Sequence, residues 1–283
     1  MFFDTATLEA WLEEDIGFFD LTSHALGVSS TPARISWVVR HQTVAACTEE
    51  VARMLALQGA EVESVQPSGT ILEAGDSLLS ATGAAQSLLN CWKVGQNIFE
   101  FACGVAHRAK QMRQQVDAVN PQIGLFSTRK HPPGLRRLAQ KAVMPVGVYP
   151  HRLGLSETVL IFPQHRKLLA GGWDELKAIL NEQRRYLLEK KIIIEVNTKD
   201  EALLAIDCGA DALQFDKVEP SALKSIISEL KESHQLPPDM TLLAAGGIRL
   251  DNATDYAATG VDGLVTSSFY FGSPADIGVR IEL

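Results

Sequence analysis

In the second half of the chain, residues able to do chemistry stand inside or directly after short apolar runs. Two of them are carboxylates: Glu195 interrupts the run KIIIEV, and Asp216 follows ALQF. The others are cations, glycines and serines, in chain order Arg129, Lys130, His151, Arg152, Gly246, Gly247, Ser267 and Ser268. Two carboxylates near several cations are typical of a site for Mg²⁺ and a polyanion, because Mg²⁺ prefers one or two carboxylates together with substrate phosphate oxygens.

The glycine pair and the serine pair add groups that can bind an anion. Gly246 and Gly247 let the backbone approach a ligand closely, and amides exposed before a helix form an anion site. Ser267 and Ser268 supply hydroxyl donors. A phosphate group would suit this combination.

Six apolar runs must position these residues. They are QIGLF (122–126), TVLIF (158–162), KIIIEV (191–196), DALQF (211–215), TLLAA (241–245) and DGLVT (262–266). Segments of helical length lie between them, at 173–189, 199–208, 220–232 and 250–259. This alternation predicts a parallel sheet buried on both faces, with the chemistry at the carboxyl ends of its strands. A closed or nearly closed α/β barrel fits best. An open, doubly wound sheet is the alternative, because six runs are clear and a barrel usually has eight.

The first half of the chain has an α+β pattern. A helix is predicted from Thr5 to Ile16, where apolar residues recur at helical spacing, and a connector follows at 18–26. Strands are predicted at 33–40, 61–65 and around 69–81, and a helix at 48–57. A long helical segment from Ala84 to Val119, with a break expected at Gly104, leads into the second half.

Composition narrows the classes of function. The net charge of −8 argues against a general nucleic-acid binder, which needs a broad basic surface, but it allows a local basic pocket for a small anion. No apolar run approaches the roughly 18 to 20 residues of a membrane span, and the amino terminus lacks the basic start of a signal peptide, so we expect a cytoplasmic protein. The four cysteines show no metal-binding spacing, and we interpret them as buried free thiols.

Each candidate residue also has a purely structural interpretation. The cations can be ordinary loop charges, the glycines a turn, and the serines helix caps. Glu195 can form a structural ion pair, Asp216 can cap the helix near Pro220, and His151 can be a satisfied structural histidine. Their joint position at one edge of a barrel favours a functional site over these separate explanations.

The order of several motifs resembles that of the quinolinate phosphoribosyltransferases. The motifs are TRKHPPGLRRLAQKAV, HRLGLSETVLI, IEV, LQFDK, AAGGI, AATGVDGLV and, near the start, EEDIGFFDLTS. The stretches CWKVGQN, VLIFPQHR and TSSFYFGSPADI look most like the ModD branch, which is encoded with molybdate-transport genes. The resemblance covers nearly the whole chain.

The resemblance implies a fold and a reaction. It implies an N-terminal α/β sandwich at 1–104, an incomplete, six- or seven-stranded α/β barrel at 105–270, and a C-terminal strand at 271–283 that returns to the first domain. It also implies a homodimer with sites shared between subunits. The family joins a nitrogen-heterocyclic acid to phosphoribosyl pyrophosphate and releases pyrophosphate, and in the quinolinate enzymes carbon dioxide leaves as well.

The resemblance also assigns roles to residues. Arg129 and Arg152, with His151, would bind the acid's carboxylates, and Lys130 would face pyrophosphate or carboxylate oxygens. Glu195 and Asp216 would lie near the ribose and Mg²⁺. The two phosphate loops would consist of Ala245, Gly246 and Gly247, and of Ser267 and Ser268.

Four positions depart from the family pattern. Phe162 replaces a substrate-contacting lysine, and Lys93 replaces an arginine that reaches in from the partner subunit, although a lysine cannot grip a carboxylate with two parallel hydrogen bonds. Ala245 replaces a serine, and Ser267 replaces a glycine. The loss of one cation and the weakening of another reduce the binding free energy of a dianion such as quinolinate by roughly 1–3 kcal/mol per contact. We therefore expect an acceptor that is less charged or more apolar.

Two other functions compete with this one. A non-catalytic protein linked to molybdate uptake could keep the phosphate loop to bind a nucleotide or an oxyanion, but it would have little use for Glu195 and Asp216. An aldolase with a phosphate-binding barrel would need a Schiff-base lysine, and the candidate Lys217 is better explained by its place beside Asp216.

Overall fold

The computed structural model describes residues 2–283, which form two compact units. We call them the N-terminal unit (residues up to 110, 131–147 and 269–283) and the barrel unit (111–130 and 148–268). None of the helices in residues 2–283 is long and apolar enough to cross a membrane. The four cysteines, Cys47, Cys91, Cys103 and Cys208, are buried free thiols, as predicted.

The first part of the chain alternates between helices and antiparallel strands. Its elements are α1 (Thr5–Ile16), α2 (Leu21–Leu26), β1 (Pro32–Val39), β2 (Thr43–Val44), α3 (Thr48–Leu57), β3 (Glu61–Val65), β4 (Ile71–Leu72), β5 (Ser77–Ala84) and α4 (Ala85–Val119). The last strand of the chain, β13 (Ile277–Glu282), pairs with β1, so that a four-stranded sheet has the order β13-β1-β5-β3, and β2 pairs with β4.

The remaining strands build a second, parallel sheet, and the helices lie between them in the chain. These elements are β6 (Gly124–Ser127), α5 (Arg136–Val143), β7 (Tyr149–Pro150), β8 (Val159–Ile161), α6 (Pro163–Arg166), α7 (Gly172–Gln183), β9 (Ile192–Val196), α8 (Lys199–Asp207), β10 (Ala212–Asp216), α9 (Pro220–Glu232), β11 (Thr241–Ala245), α10 (Ala253–Ala257) and β12 (Gly263–Thr266). One of these helices, α5, belongs to the N-terminal unit. Three short 3₁₀ turns cover Met144–Val146, Arg184–Tyr186 and Ser268–Tyr270.

The strand order decides between the two predicted kinds of sheet. The seven strands run β7-β6-β12-β11-β10-β9-β8, and every pair is parallel. From β8 to β12 the sheet advances in one direction, whereas a doubly wound sheet reverses its direction. The first strand, β6, then lies beside the last, β12, as it does in a barrel. The predicted incomplete, seven-stranded α/β barrel is confirmed, with β7 and β8 at its two edges.

Apolar side chains fill the inner face of this sheet. Leu160, Ile193, Ala212, Leu243, Ala245 and Val265 form one buried cluster, against which Phe126 and Phe162 pack. Two strands must carry glycine for this packing, because a Cβ at Gly124 or Gly263 would clash with the ring of Phe126. The apolar runs therefore place every second residue towards the inside of the barrel.

Several details differ from the sequence-based expectations. The connector at 18–26 contains α2, because Asp20 caps a helix by accepting hydrogen bonds from the backbone N–H groups of Thr22 and Ser23. The break expected at Gly104 is wrong: α4 is continuous, and the missing side chain instead leaves room for a close approach, since a Cβ would lie 3.0 Å from the Ala275 nitrogen. Strands β2 and β7 have two residues each, too few to show a period in the sequence.

Candidate active site

A cavity of about 310 Å³ lies in the barrel unit, where the parallel strands end. Its lining consists of Thr128, Arg129, Lys130, His151, Arg152, Leu160, Phe162, Glu195, Gln214, Asp216, Ala245, Gly246 and Val265. The sequence-based site residues thus largely come together. Four of them, Lys93, Gly247, Ser267 and Ser268, do not line the cavity; Lys93 lies on α4 in the N-terminal unit, where its Nζ donates to Gln96.

Three residues on two adjacent strands form what we call the acidic side of the cavity: Glu195, Gln214 and Asp216. Gln214 of β10 is the register partner of Glu195 of β9, so both side chains project from the same face of the sheet. The Gln214 Nε2 donates a hydrogen bond of 3.1 Å to the Glu195 Oε2. Burial raises the pKa of the Glu195 carboxyl group, and the nearby charge of Asp216 raises it further.

Neighbouring loops fix the backbone of the acidic side. The Arg166 Nη1 donates to the Glu195 carbonyl oxygen at 2.6 Å, and its Nη2 pairs with Glu201 at 3.0 Å. The Asn197 amide donates to the Asp216 carbonyl oxygen, also at 2.6 Å. The two carboxylates therefore stand on strand ends that are held in place before any ligand binds.

Four residues form what we call the cationic side: Arg129, Lys130, His151 and Arg152. Arg152 is buried, and its pKa is lowered by burial and then by the charge of Arg129. Within residues 2–283 neither guanidinium lies within ion-pair distance of a carboxylate. Two close cations without a carboxylate between them form a ready site for an anion.

His151 belongs to the same side but stays uncharged near neutral pH. Its backbone N–H donates to Ser127 at 2.9 Å, which fixes the chain where β7 ends. Burial, with a contribution from the charge of Arg152, lowers the pKa of His151 to about 4. The His151 Nε2 is buried and has no hydrogen-bond partner within residues 2–283, so His151 is not a satisfied structural histidine.

An aromatic residue stands where the family pattern would place a cation. Phe162 follows β8 and stacks on His165, with 5.6 Å between ring centroids and 26° between ring planes. The His165 Nδ1 accepts a hydrogen bond of 3.0 Å from the Phe162 backbone nitrogen. Together with Leu160 and Val265, this ring gives the cavity an apolar part.

The glycine pair after β11 has the backbone that only glycine adopts easily. Gly246 and Gly247 have φ values of 79° and 73°. A Cβ at Gly246 would lie 2.5 Å from the Asp216 Oδ1 and 2.6 Å from the Lys217 Cγ, so a side chain is excluded there. After β12, the Ser268 N–H donates to the Thr266 Oγ1 at 3.1 Å.

Besides that of His151, two further structural interpretations fail in the described residues. The N-cap position of α9 is Glu219, whose side chain makes no capping hydrogen bond, so Asp216 is not the cap of this helix. The Glu195 carboxylate accepts from Gln214 and forms no ion pair within residues 2–283. Gln214 itself was missed at the sequence level, although a polar residue inside the apolar run DALQF is the same signal that singled out Glu195.

The carboxylates of the acidic side are also the groups of the cavity that can bind a metal ion. Residues 2–283 contain no cluster of three or more acidic, histidine or cysteine side chains that could enclose a metal. Glu195 and Asp216 supply two carboxylates to one cavity. This donor set fits Mg²⁺ that is held largely by substrate phosphates, because such ions need only one or two protein carboxylates.

Family models match almost the whole chain. The model described as quinolinate phosphoribosyl transferase, C-terminal domain, matches residues 105–280, and the corresponding N-terminal domain model matches residues 20–103. Together these two matches include every residue that lines the cavity.

Curated proteins of similar sequence fall into two groups. The chain is 34% identical to a protein of Pasteurella multocida named ModD and described as a pyrophosphorylase, over 100% of this chain and 99% of that protein. It is 38% identical to a ModD protein of Rhodobacter capsulatus, over 88% and 94% of the two chains. A carboxylating nicotinate-nucleotide pyrophosphorylase of Methanothermobacter thermautotrophicus is 30% identical over 96% of each chain.

Solved structures share the fold. The nicotinate-nucleotide pyrophosphorylase of Ehrlichia chaffeensis superposes with a TM-score of 0.87 at 22% identity and full coverage of both chains. A structure titled NadC from Streptococcus pyogenes gives a TM-score of 0.86 at 22% identity, covering 98% of this chain and 95% of that one.

Proposed function

The chain belongs to the quinolinate phosphoribosyltransferase family, and from this premise we propose how the cavity is used. The protein is a pentosyltransferase. We propose that it joins the phosphoribosyl group of phosphoribosyl pyrophosphate to a nitrogen-heterocyclic carboxylic acid, as in the synthesis of pyridine nucleotides. The observation that carries the proposal is a single cavity in which unpaired arginines and two carboxylates meet. The acid requires the cations, whereas the positive charge that develops on the ribose requires the carboxylates.

The cationic side binds the acid. The guanidinium groups of Arg129 and Arg152 hold its carboxylate, since an arginine can grip a carboxylate with two parallel hydrogen bonds. His151 is neutral at pH 7 and offers its unpartnered Nε2 to the same ligand. Phe162 and Leu160 contact the face of the heterocycle, whose ring nitrogen points to the anomeric carbon of the ribose.

The acidic side stabilises the reacting sugar. The ring nitrogen forms a bond to the anomeric carbon while the bond from that carbon to the pyrophosphate oxygen breaks, and pyrophosphate leaves with the electron pair. Positive charge develops on the sugar ring as this happens, and Glu195 and Asp216 stabilise it electrostatically. No protein nucleophile is required, because the acceptor nitrogen supplies the electrons.

Phosphate groups are held at the rim of the barrel. Gly246 and Gly247, with Ala245, present backbone N–H groups. Ser267 presents its N–H and O–H groups and Ser268 its O–H group, because the Ser268 N–H already donates to Thr266. Lys130 faces the pyrophosphate or carboxylate oxygens. Glu195 and Asp216 would hold Mg²⁺ together with the substrate phosphates. Bound there, Mg²⁺ would neutralise charge on the leaving pyrophosphate.

The proposal includes a homodimer in the cytoplasm. Lys93 is exposed on α4 and would enter the partner subunit's cavity, adding one cation to each site. Sedimentation should then show a dimer, and Lys93→Met should weaken binding of the acid without dissociating that dimer. A monomeric active enzyme would remove this part of the proposal.

The reaction is tested by pyrophosphate release from phosphoribosyl pyrophosphate and Mg²⁺, with a panel of heterocyclic acids that includes nicotinate and quinolinate. We expect at least one acid to support turnover, and Asp216→Asn and Glu195→Gln to lower kcat by about 10²–10³-fold, as loss of a charge-stabilising group does. Full activity in either variant would refute the assigned roles. Binding of phosphoribosyl pyrophosphate without turnover of any acid would instead favour the non-catalytic binding protein.

A further inference from the structure

One buried polar atom in the cavity has no partner in the protein. The side chain of Gln214 is only 4% exposed, and its Nε2 donates to Glu195. Its Oε1 is buried and accepts no hydrogen bond within residues 2–283. A buried amide oxygen left unpaired is destabilising, and most such atoms in proteins have a partner. Since Gln214 lines the cavity, a bound ligand can provide that partner.

The orientation of the amide group follows from its neighbour. An ionised Glu195 has only acceptor atoms, so it must face the Gln214 NH₂ group and not the oxygen. The oxygen is then directed away from Glu195. A ligand that pairs with it must carry a hydrogen-bond donor, because an amide oxygen only accepts.

The strand register places Gln214 beside the apolar part of the cavity and not at the phosphate loops. Its partners in the sheet are Glu195 on one side and Leu243 on the other. Phe162 comes directly after Ile161, the register partner of Ile194, and so continues the same row beyond Glu195.

Asp216 stands two residues further along β10, nearer the rim. Its register partner is Ala245, which directly precedes the loop glycines. Gln214 therefore lies one row deeper than the phosphate loops, in the row of Glu195 and Phe162, where the proposed function brings the heterocycle against the ribose.

We propose that the Gln214 Oε1 accepts a hydrogen bond from an N–H group of the acceptor, so that the acceptor is an aromatic nitrogen heterocycle with one carboxylate and one amino substituent. This inference rests on the proposed function. One carboxylate suits the unpaired Arg129 and Arg152, and an amino group suits Gln214. A second carboxylate beside Phe162, Gln214 and Glu195 would meet a ring, an amide oxygen and an anion, none of which attracts it.

The acceptor chemistry is tested by calorimetric titration of the full-length protein with nicotinate and with the four isomeric aminonicotinates, which carry the amino group at different ring carbons. We expect at least one amino isomer to bind wild-type protein ten-fold or more tightly than nicotinate. In Gln214→Met, a variant of similar shape without polar atoms, this preference should disappear. Leu213→Met is the matched control, because Leu213 is the neighbour of Gln214 on β10, projects from the opposite face of the sheet and does not line the cavity; it should leave the preference within about two-fold.

Three outcomes would overturn the inference. In the first, no amino isomer binds wild-type protein more tightly than nicotinate, a result that does not depend on any variant. In the second, the preference survives Gln214→Met. In the third, the preference among acids also survives Gln214→Met, but the variant binds phosphoribosyl pyrophosphate more weakly. That result would assign the Gln214 oxygen to the ribose. Failure of the proposed function is a separate result: the binding preference would stand, but no acid would support pyrophosphate release.

Discussion

The acidic and cationic sides of the cavity differ in what holds their charged groups before a ligand binds. Glu195 accepts from Gln214, and the backbones of Glu195 and Asp216 are held by Arg166 and Asn197. On the cationic side, Arg129 and Arg152 face each other's charge without a carboxylate partner in residues 2–283. The two carboxylates of the acidic side are thus held in place without ligand, whereas the two arginines of the cationic side await an anion.

This difference separates what the enzyme must keep rigid from what it can vary. Stabilising a short-lived positive charge requires groups that are fixed in advance, because reorganisation during the reaction reduces their effect. Recognition of a particular acid only requires complementary charges and shape, which single substitutions can change. Phe162, whose ring belongs to the apolar part of the cavity, is one of the residues at which such a substitution can change the acid that binds.

Among variants that alter recognition of the acid, the largest effect should come from removing one of the unpaired cations. Arg152→Met should raise the KM of the accepted acid about 100-fold, because a charge-assisted pair with a carboxylate is lost, while the KM of phosphoribosyl pyrophosphate changes less than about three-fold. The melting temperature should not fall, since the buried guanidinium has no protein partner to lose. Steady-state kinetics and calorimetry of the same samples measure both effects.

Arg166→Met is the matched control for stability. This arginine donates to the Glu195 carbonyl oxygen, pairs with Glu201, and lies 4.4 Å from the ring centroid of Trp173. Its loss should destabilise the fold by about 2 kcal/mol, unlike the loss of Arg152. Equal destabilisation by both variants would contradict the distinction between a prearranged side and a side that awaits its ligand.

A smaller effect is expected from placing a cation at position 162, in the apolar part of the cavity. Phe162→Lys should improve the kcat/KM for quinolinate about ten-fold and reduce it for a monocarboxylic acid, because an added ammonium group suits a second carboxylate. The extended backbone of Phe162 accommodates either side chain. Phe162→Met, which removes the ring without adding charge, should not help quinolinate. Efficient use of quinolinate by the unaltered protein would refute this role of Phe162.

Much of the fold was predictable because the barrel strands have a simple pattern. Continuous apolar runs separated by helices identified six of the seven strands, and residues within these runs or shortly after them form most of the cavity lining. β7 was missed because two residues show no period. Gly104 was misread because a glycine that allows close packing looks the same in a sequence as one that breaks a helix.

The site was predictable as a set of residues but not as a set of contacts. Glu195 could be singled out because a charged side chain in a buried strand is costly unless it is paired, hydrogen-bonded or used by a ligand. That its partner would be Gln214, and not a cation, depends on the register between β9 and β10, which no local pattern specifies. Likewise, the sequence places His151 beside Arg152, but only the fold buries its ring.

The smallest effect concerns the pH dependence of stability. In the unfolded chain the His151 imidazole takes up a proton near pH 6.5, whereas in the folded protein its pKa is about 4. Between these values the unfolded state binds more protons, so lowering the pH through this window destabilises the fold. Because the ring is only partly enclosed, we expect this group to contribute about 1 kcal/mol, measured by denaturant unfolding at pH 7 and pH 4.5.

His151→Asn provides the comparison, since asparagine keeps a polar group there but does not titrate. Its stability should fall less than that of the wild-type protein between pH 7 and pH 4.5. A bound carboxylate should act in the opposite direction, because an anion beside His151 and Arg152 offsets the repulsion that lowers the pKa of the imidazole. Saturating acid should therefore weaken the pH dependence in the wild-type protein and leave it unchanged in His151→Asn. If ligand had no effect on the wild-type profile, the acid would not be bound at the cationic side.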